Sequence, residues 1–319
     1  MSSYTQRQQQ RSYPVDQLAA SVDAIAAATA DLTTRARPRK STRRQTHVVG
    51  PARQLNGAAA ILALSVLADS AIEHYRGGFR NRAMYAPLAA SSLTMVASLL
   101  GVCDRRPRRH PARDAIYAAA GATGLTGLLF HTVNVLKRPG RLSWLNLFYG
   151  APIGAPMALV LAGGLGRAAE SVRDTKRGRE PRLLGVSAGK ALTLGSCLGL
   201  VGTIGEVSLL HFRGAFQNRA MYLPVTIPPA AATVLAANLA SSSRRSFALA
   251  RPILRLTAAL GIAGAGVHAY GVSRNMGGWR NWSQNQLNGP PIPAPPSFTG
   301  LALAGLAALS LLEMEKDFD

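Results

Sequence analysis

The chain has 319 residues, of which 48% are hydrophobic, and it carries a formal net charge of +21. Long stretches rich in Ala, Leu, Gly and Val alternate with short Arg-rich connectors. This alternation is typical of a chain that passes between lipid and water several times, and no part has the pattern of a soluble enzyme domain. Positive-inside topology and anionic lipid headgroups account for the basic clusters, so the lipid bilayer is the expected partner and nucleic acid is not.

Residues 1–50 are predicted to form a basic cytoplasmic extension, because they contain no continuous apolar core. A weakly amphipathic, Ala-rich pattern covers 14–33 and favours a cytosolic or membrane-surface helix over one that binds a partner. No cleaved signal peptide is visible, so the first membrane helix is expected to act as the insertion signal. Cys103 and Cys197 have no CxxC spacing, which argues against a disulfide framework.

Eight stretches approach the length of about 20 residues that spans a bilayer. They lie near 55–73, 85–102, 114–134, 152–168, 186–210, 223–240, 252–270 and 297–313. Alternate connectors differ in charge, with 23 Lys and Arg in one set (35–53, 103–113, 167–190 and 244–255) and ten in the other (74–84, 131–151, 211–222 and 268–296). The positive-inside rule therefore places the first set and both termini in the cytoplasm, with the protein in a bacterial-type inner membrane.

An internal repeat organises the chain. Residues 74–88, HYRGGFRNRAMYAPL, share ten of fifteen positions with 211–225, HFRGAFQNRAMYLPV. His131 and His268 are also 137 residues apart, and each is followed by N-x3-G-x-P-I-x-A-P. We therefore predict an all-α integral membrane protein of about eight transmembrane helices, a tandem duplication of a four-helix unit with a pseudo-two-fold axis along the membrane normal. The expected parts are a first membrane repeat, a cytoplasmic linker and a second membrane repeat, at 51–170, 171–185 and 186–315.

Histidines at the outer ends of the predicted helices are candidate ligands for a metal or haem, and two acids lie five residues before two of them. These candidates are His74, His131, His211, His268, Asp69 and Glu206. Imidazole is a common ligand of zinc, copper and iron, and two histidines can ligate one haem. A carboxylate at membrane depth normally faces the bundle interior or a wet cavity and pairs with a cation. Candidates for pairing with these acids, for positioning or for anion binding are Arg76, Arg82, Arg213, Arg219, Asn81 and Asn218.

The same segments also have a structural explanation. Gly77 and Gly214 can permit a tight turn, the asparagines can satisfy loop backbone groups, and the histidines can cap helix C-termini. HExxH, ExxH, CxxCH and Walker motifs are all absent from the sequence. The sequence therefore assigns neither the identity of a metal nor a catalytic activity.

Three functions stay open. The leading hypothesis is an inner-membrane redox subunit that binds a transition metal or haem through the outer histidines, with Asp69 and Glu206 as ligands or proton acceptors. The second is a secondary transporter or ligand-binding membrane protein, since repeats, proline-interrupted helices and intramembrane acids are typical of carriers. The third is a structural subunit of a larger membrane complex, for which other membrane subunits are the partners and no ligand is needed.

Overall fold

The computed structural model describes residues 43–150, 152–176, 178–240 and 243–316. The amphipathic pattern at 14–33 and most of the basic extension at 1–50 therefore lie outside the described residues. Within the described part every regular element is helical except one short hairpin, in which β1 (Arg182–Leu183) pairs antiparallel with β2 (Val186–Ser187).

Ten α-helices follow in chain order within the described residues. They are α1 Arg43–Arg76, α2 Ala86–Cys103, α3 Pro111–Leu136, α4 Trp144–Tyr149, α5 Gly154–Arg173, α6 Ala188–Arg213, α7 Ile227–Ala240, α8 Arg244–Arg274, α9 Trp282–Asn288 and α10 Pro296–Glu315. Three 3-10 helices accompany them, at Arg82–Tyr85, Arg219–Val225 and Gly278–Asn281. Eight of the α-helices match the predicted stretches, and α1 and α8 begin two or more turns earlier than predicted because α1 continues through Pro51 and α8 through Pro252.

Seven helical segments of the described chain are long and apolar enough to cross a membrane, which indicates an all-α, multi-pass membrane protein. These segments are Val48–Arg76, Arg82–Cys103, Pro111–Leu136, Ala188–Arg213, Arg219–Ala240, Arg245–Arg274 and Pro296–Glu315. Helix α5 is not among them, because Arg167, Glu170 and Arg173 in its second half lower its hydropathy.

Helices α1 and α10 are the most buried of these segments, and they touch where Gly300 lies against Leu62. Helix α10 also packs on α6 and α8, whereas α3 packs on α5. Small side chains dominate the core, with alanines and leucines of α1, α5, α6 and α10 in one continuous cluster. The other spans expose large apolar side chains such as Leu129 and Leu198, which suits a surface that faces lipid.

Two helix pairs, α3 with α5 and α8 with α10, approach each other through similar close contacts. The matching contacts are Gly124 on Pro156 and Gly261 on Pro295, then Gly166 on Tyr117 and Gly305 on Leu254. Each contact joins residues at positions that recur 137 or 139 residues later. Small residues let helix backbones approach closely, so both pairs pack by the same device.

Candidate functional site

The four predicted histidines each tie a helix end to the returning chain. In each case ring Nδ1 is bonded to a backbone carbonyl oxygen: His74 to Met84 (2.6 Å), His131 to Pro152, His211 to Met221 (2.8 Å) and His268 to Pro291 (2.7 Å). Because a carbonyl oxygen can only accept, Nδ1 must carry a proton and donate it. The remaining ring nitrogen, Nε2, is not used in these bonds. This arrangement anchors a loop, and it is also the usual orientation of a histidine that ligates a metal through Nε2.

The turns that follow α1 and α6 each contain two residues in the left-handed backbone conformation. These are Gly78 and Phe79, with φ of 69° and 46°, and the matching Ala215 and Phe216, with φ of 55° and 47°. A left-handed conformation is costly for residues other than glycine, so it needs support from the surroundings. Each phenylalanine ring stacks on a tyrosine, with centroids 4.6 Å apart for Phe79–Tyr85 and 4.8 Å apart for Phe216–Tyr222.

Gly77 and Gly214 were expected to permit this turn through their conformational freedom, but the left-handed residues follow them. Their missing side chains instead make room for a methionine methyl group. A Cβ would lie 3.1 Å from Met84 Cε at Gly77 and 2.9 Å from Met221 Cε at Gly214. The glycine of the repeated G-x3-N-R-A-M motif therefore makes room for a methionine under the turn rather than supplying the turn itself.

The predicted asparagines cap short helices. Asn81 Oδ1 accepts from the Ala83 backbone N–H, and Asn218 Oδ1 accepts from the Ala220 backbone N–H, both at 2.9 Å. These bonds start the two matching 3-10 helices. The following arginines, Arg82 and Arg219, are exposed. In these loops the asparagines thus have the structural role that the sequence also allowed.

The two predicted acids occupy matching places on α1 and α6, and both are half-buried. The Glu206 carboxylate lies so close to Gly154 that a Cβ there would overlap it. Because Gly154 is the first residue of α5, this carboxylate lies at the positive end of a helix dipole. Asp69 interacts electrostatically with Glu73 and Glu206, which repel it, and with Arg76, which attracts it. Within the described chain neither Asp69 nor Glu206 forms a hydrogen bond or an ion pair.

A third carboxylate, Glu73, pairs with Arg76, which was one of the arginines predicted as candidates for pairing with Asp69. Arg76 Nη1 donates to both Glu73 carboxylate oxygens, at 2.8 and 2.9 Å. Glu73 was not predicted as a site residue, although it directly precedes His74. The second repeat has Leu210 at the matching position, so the acid cluster is not symmetric.

The C-terminal halves of α1 and α6 make reciprocal contacts with distant parts of the chain. Helix α1 reaches the segment around α9 and α10, and helix α6 reaches the segment around α4 and α5. The contacts from α1 are Ser65 Oγ to the Pro293 carbonyl oxygen (2.5 Å) and Arg76 Nη2 to the Leu287 carbonyl oxygen; those from α6 are Glu206 against Gly154 and the Arg213 guanidinium over the Tyr149 ring at 4.6 Å. Each half of the sequence therefore supports the acid-bearing helix of the other.

A buried charge network lies where the C-terminal ends of α2 and α5 meet the N-terminal end of α3. The sequence pattern did not predict it. Glu170 of α5 accepts from Arg113 Nε at 2.9 Å and from the His110 backbone N–H at 2.8 Å. Arg113 also pairs with Asp104 at 2.9 Å, and Arg173 Nε lies 3.9 Å from Glu170. The Arg173 and Glu170 side chains have no exposed surface.

Asp104 is the outermost acid of this network and follows the end of α2. Partial burial by itself would raise its pKa, but the Arg106 backbone N–H and the Arg113 guanidinium both bond the carboxylate. These bonds and the positive charge of Arg113 and Arg173 outweigh burial and lower the pKa of Asp104 below its ordinary value.

In the part of the chain that the structure describes, no three His, Cys, Asp or Glu side chains converge as a metal-binding group. No known protein family matches the chain, and no curated protein or solved structure is significantly similar to it.

Proposed function

We propose that this multi-pass membrane protein binds a cation, either a proton or a metal ion, between Asp69 and Glu206 at the outer end of the helix bundle. The observation that carries the proposal is the electrostatic interaction between these half-buried acids, neither of which forms an ion pair among the described residues; Arg76 opposes the repulsion at Asp69 but is itself paired with Glu73. Two carboxylates held near each other and away from bulk water repel, and a bound cation offsets that repulsion.

A cation site of this kind favours a cation-binding or proton-coupled carrier over a subunit without a ligand. Intramembrane acids at the interface between repeats are a common feature of secondary transporters. The contacts of α1 and α6 with the opposite half of the chain support the carrier proposal, because a structural change at the acids would alter contacts in both halves.

The histidines support a second candidate, a redox subunit in which Nε2 atoms ligate a metal or haem. All four rings have Nδ1 bonded to a carbonyl oxygen, and such bonds fix the ring orientation in many metal sites. In this case the imidazoles would have to converge, because metal–nitrogen bonds are only about 2 Å long.

We further propose that the chain is a tandem duplication of a four-helix unit, with α5 as the eighth span and a pseudo-two-fold axis along the membrane normal. The matched histidine bonds, the matched glycine contacts and the reciprocal contacts of α1 and α6 support this architecture. With eight spans both termini would lie on one side, which the charge of the connectors makes the cytoplasm.

Thermal unfolding of the full-length protein in detergent, over a range of pH and with sodium, magnesium, manganese or zinc added, tests the cation site. We expect pH or a cation to shift the Tm of wild type, and Asp69→Asn and Glu206→Gln each to reduce that shift. Glu313→Gln is the matched control, since this acid pairs with Arg251 at the end of the last helix. The cation proposal is wrong if the double variant Asp69→Asn/Glu206→Gln responds as wild type does.

Absorption spectroscopy and metal analysis distinguish the histidine site of the second candidate from the acid site of the first. A haem Soret band or stoichiometric iron, copper or zinc that persists in the double acid variant, but is lost in His74→Ala and His211→Ala, would favour the histidine site. Wild-type metal content in both histidine variants would exclude it.

A further inference from the structure

The loop between α2 and α3, residues 104–110 with the sequence DRRPRRH, is held from beneath by two buried side chains of α5. Arg173 donates to the carbonyl oxygens of Gly101 at 2.8 Å, Asp104 at 2.7 Å and Arg106 at 3.2 Å. Glu170 accepts from the His110 backbone N–H at 2.8 Å. The path of the loop is therefore fixed at both of its ends and near its middle.

The second repeat does without these charges. Where the first repeat has Arg113, Glu170 and Arg173, the matching positions hold Ala250, Leu309 and Leu312, all of them buried. Helices α8 and α10 nevertheless pack closely there, so packing of the pair does not require an ion network. Buried charges are costly compared with apolar side chains of similar size. The network in the first repeat therefore points to a role in shaping the loop.

Three guanidinium groups of the loop, Arg105, Arg106 and Arg108, are exposed. None of them has an acidic partner among the residues that the structure describes. Among the nearby acids, Asp104 pairs with Arg113, Asp114 pairs with Arg109, and Asp174 accepts from the Arg109 backbone N–H at 3.4 Å. The loop thus presents three guanidinium groups that are in no ion pair, on a backbone of fixed shape.

We propose that this loop is a binding site for the phosphate group of an anionic phospholipid, with Arg105, Arg106 and Arg108 as its ligands. Guanidinium groups bind phosphate oxygens through paired, charge-assisted hydrogen bonds. The loop joins the ends of two membrane-spanning segments, which places it at the level of the lipid headgroups. A free phosphate shares this chemistry, but the position of the loop favours a headgroup as its source. The fixed backbone lowers the entropy cost of ordering the loop around a ligand.

The test uses the full-length protein in nanodiscs of phosphatidylcholine alone or with added phosphatidylglycerol. Native mass spectrometry counts the retained lipids, and thermal unfolding measures the stabilisation that phosphatidylglycerol confers. The variant is Arg105→Gln/Arg106→Gln/Arg108→Gln. Its matched control, Lys176→Gln/Arg179→Gln/Arg182→Gln, removes three exposed charges from the connector that follows α5.

Wild type and the control are expected to retain phosphatidylglycerol, and the loop variant to bind it roughly a hundredfold more weakly, because each cationic side chain near an anionic surface contributes about fivefold. Equal loss in the control would overturn the site in favour of bulk charge. Stabilisation of wild type by inorganic phosphate in neutral detergent, lost in the loop variant, would overturn the lipid as the ligand. Should the triple variant fail to fold, Arg108→Gln alone must weaken binding by about fivefold for the proposal to stand.

Discussion

Replacing Glu170 with leucine would remove the centre of the buried charge network and leave its arginines in place. The carboxylate receives hydrogen bonds from Arg113 Nε at 2.9 Å, from Arg113 Nη2 at 3.1 Å and from the His110 backbone N–H at 2.8 Å. The Arg113 and Arg173 side chains are only 7% and 0% exposed, so neither can turn to water in compensation. Removing one member of a buried ion pair costs about 3–5 kcal/mol. We expect Glu170→Leu to lower the free energy of unfolding by that amount.

The second repeat supplies the compensating variant. Arg113→Ala/Glu170→Leu/Arg173→Leu copies the residues at the matching positions and removes both arginines that Glu170→Leu would leave without that carboxylate. Asp104 loses Arg113 in this variant, but it is partly exposed and keeps its bond from the Arg106 backbone N–H. The carbonyl groups of Asp104 and Arg106 and the His110 N–H lose their partners in this variant, but they lie near the surface where water can replace them, so the Gly101 carbonyl group is the one buried group that loses a bond. The triple variant should therefore be more stable than the single one, although the loop would lose its fixed shape.

Reversible unfolding in mixed detergent micelles, followed by circular dichroism, measures both variants against wild type. Leu309→Glu is the converse control, because it places a lone acid at the apolar position that matches Glu170. A cost below about 1 kcal/mol for Glu170→Leu would lie in the range of ordinary substitutions and refute the reasoning. A triple variant less stable than the single one would refute it as well.

Three further predictions concern the loops. Gly78→Ala should destabilise the protein and Ala215→Gly should stabilise it, each by about 0.5–1 kcal/mol, because both positions are left-handed. Tm changes of the same sign in the two variants would contradict this prediction. The bonds to the ionised Asp104 carboxylate stabilise the folded protein fully above the ordinary pKa of an aspartate, and this stabilisation should be lost as pH falls through the lowered pKa of Asp104 in the folded protein. Asp104→Asn should abolish this part of the fall in Tm at acid pH. A cysteine at Arg108, in a background without Cys103, should resist an impermeant reagent in intact cells, and its labelling would reverse the proposed orientation.

The long helices were predictable because an apolar stretch of bilayer length leaves few alternatives to a helix. The residues at which the long helices begin and end were less predictable. Helices α1 and α8 run through Pro51 and Pro252 and begin well before the predicted stretches at 55–73 and 252–270. The short helices α4 and α9 escaped prediction because six or seven residues carry too little periodicity to be recognised. Nothing in the sequence marks Phe79 as left-handed, because that conformation is rare for a residue other than glycine and its contact with Tyr85 forms only in the folded turn.

The candidate site was predictable only in part, for a related reason. The repeat identified the histidines and the acids Asp69 and Glu206 as matched residues, but their contacts depend on the path of the backbone. The charge network joins residues 57 positions apart in the pair Arg113–Glu170, a separation that leaves no local pattern. Arg113 and Arg173 entered the count of loop charges, although both are buried. Subtracting these two from 23 leaves 21 against ten, so the predicted orientation does not depend on them.

The difference between the repeats bears on what the proposed cation site would hold. Asp69 interacts electrostatically with Glu73 and Glu206, and Arg76 supplies one positive charge through its pairing with Glu73. With all groups ionised, three negative charges and one positive charge leave a net charge of −2. A second copy of Glu73 would have made the site more acidic, but Leu210 stands there instead. Because charge at a partly buried site is least costly when it is balanced, two protons shared among these acids balance it better than a single monovalent ion.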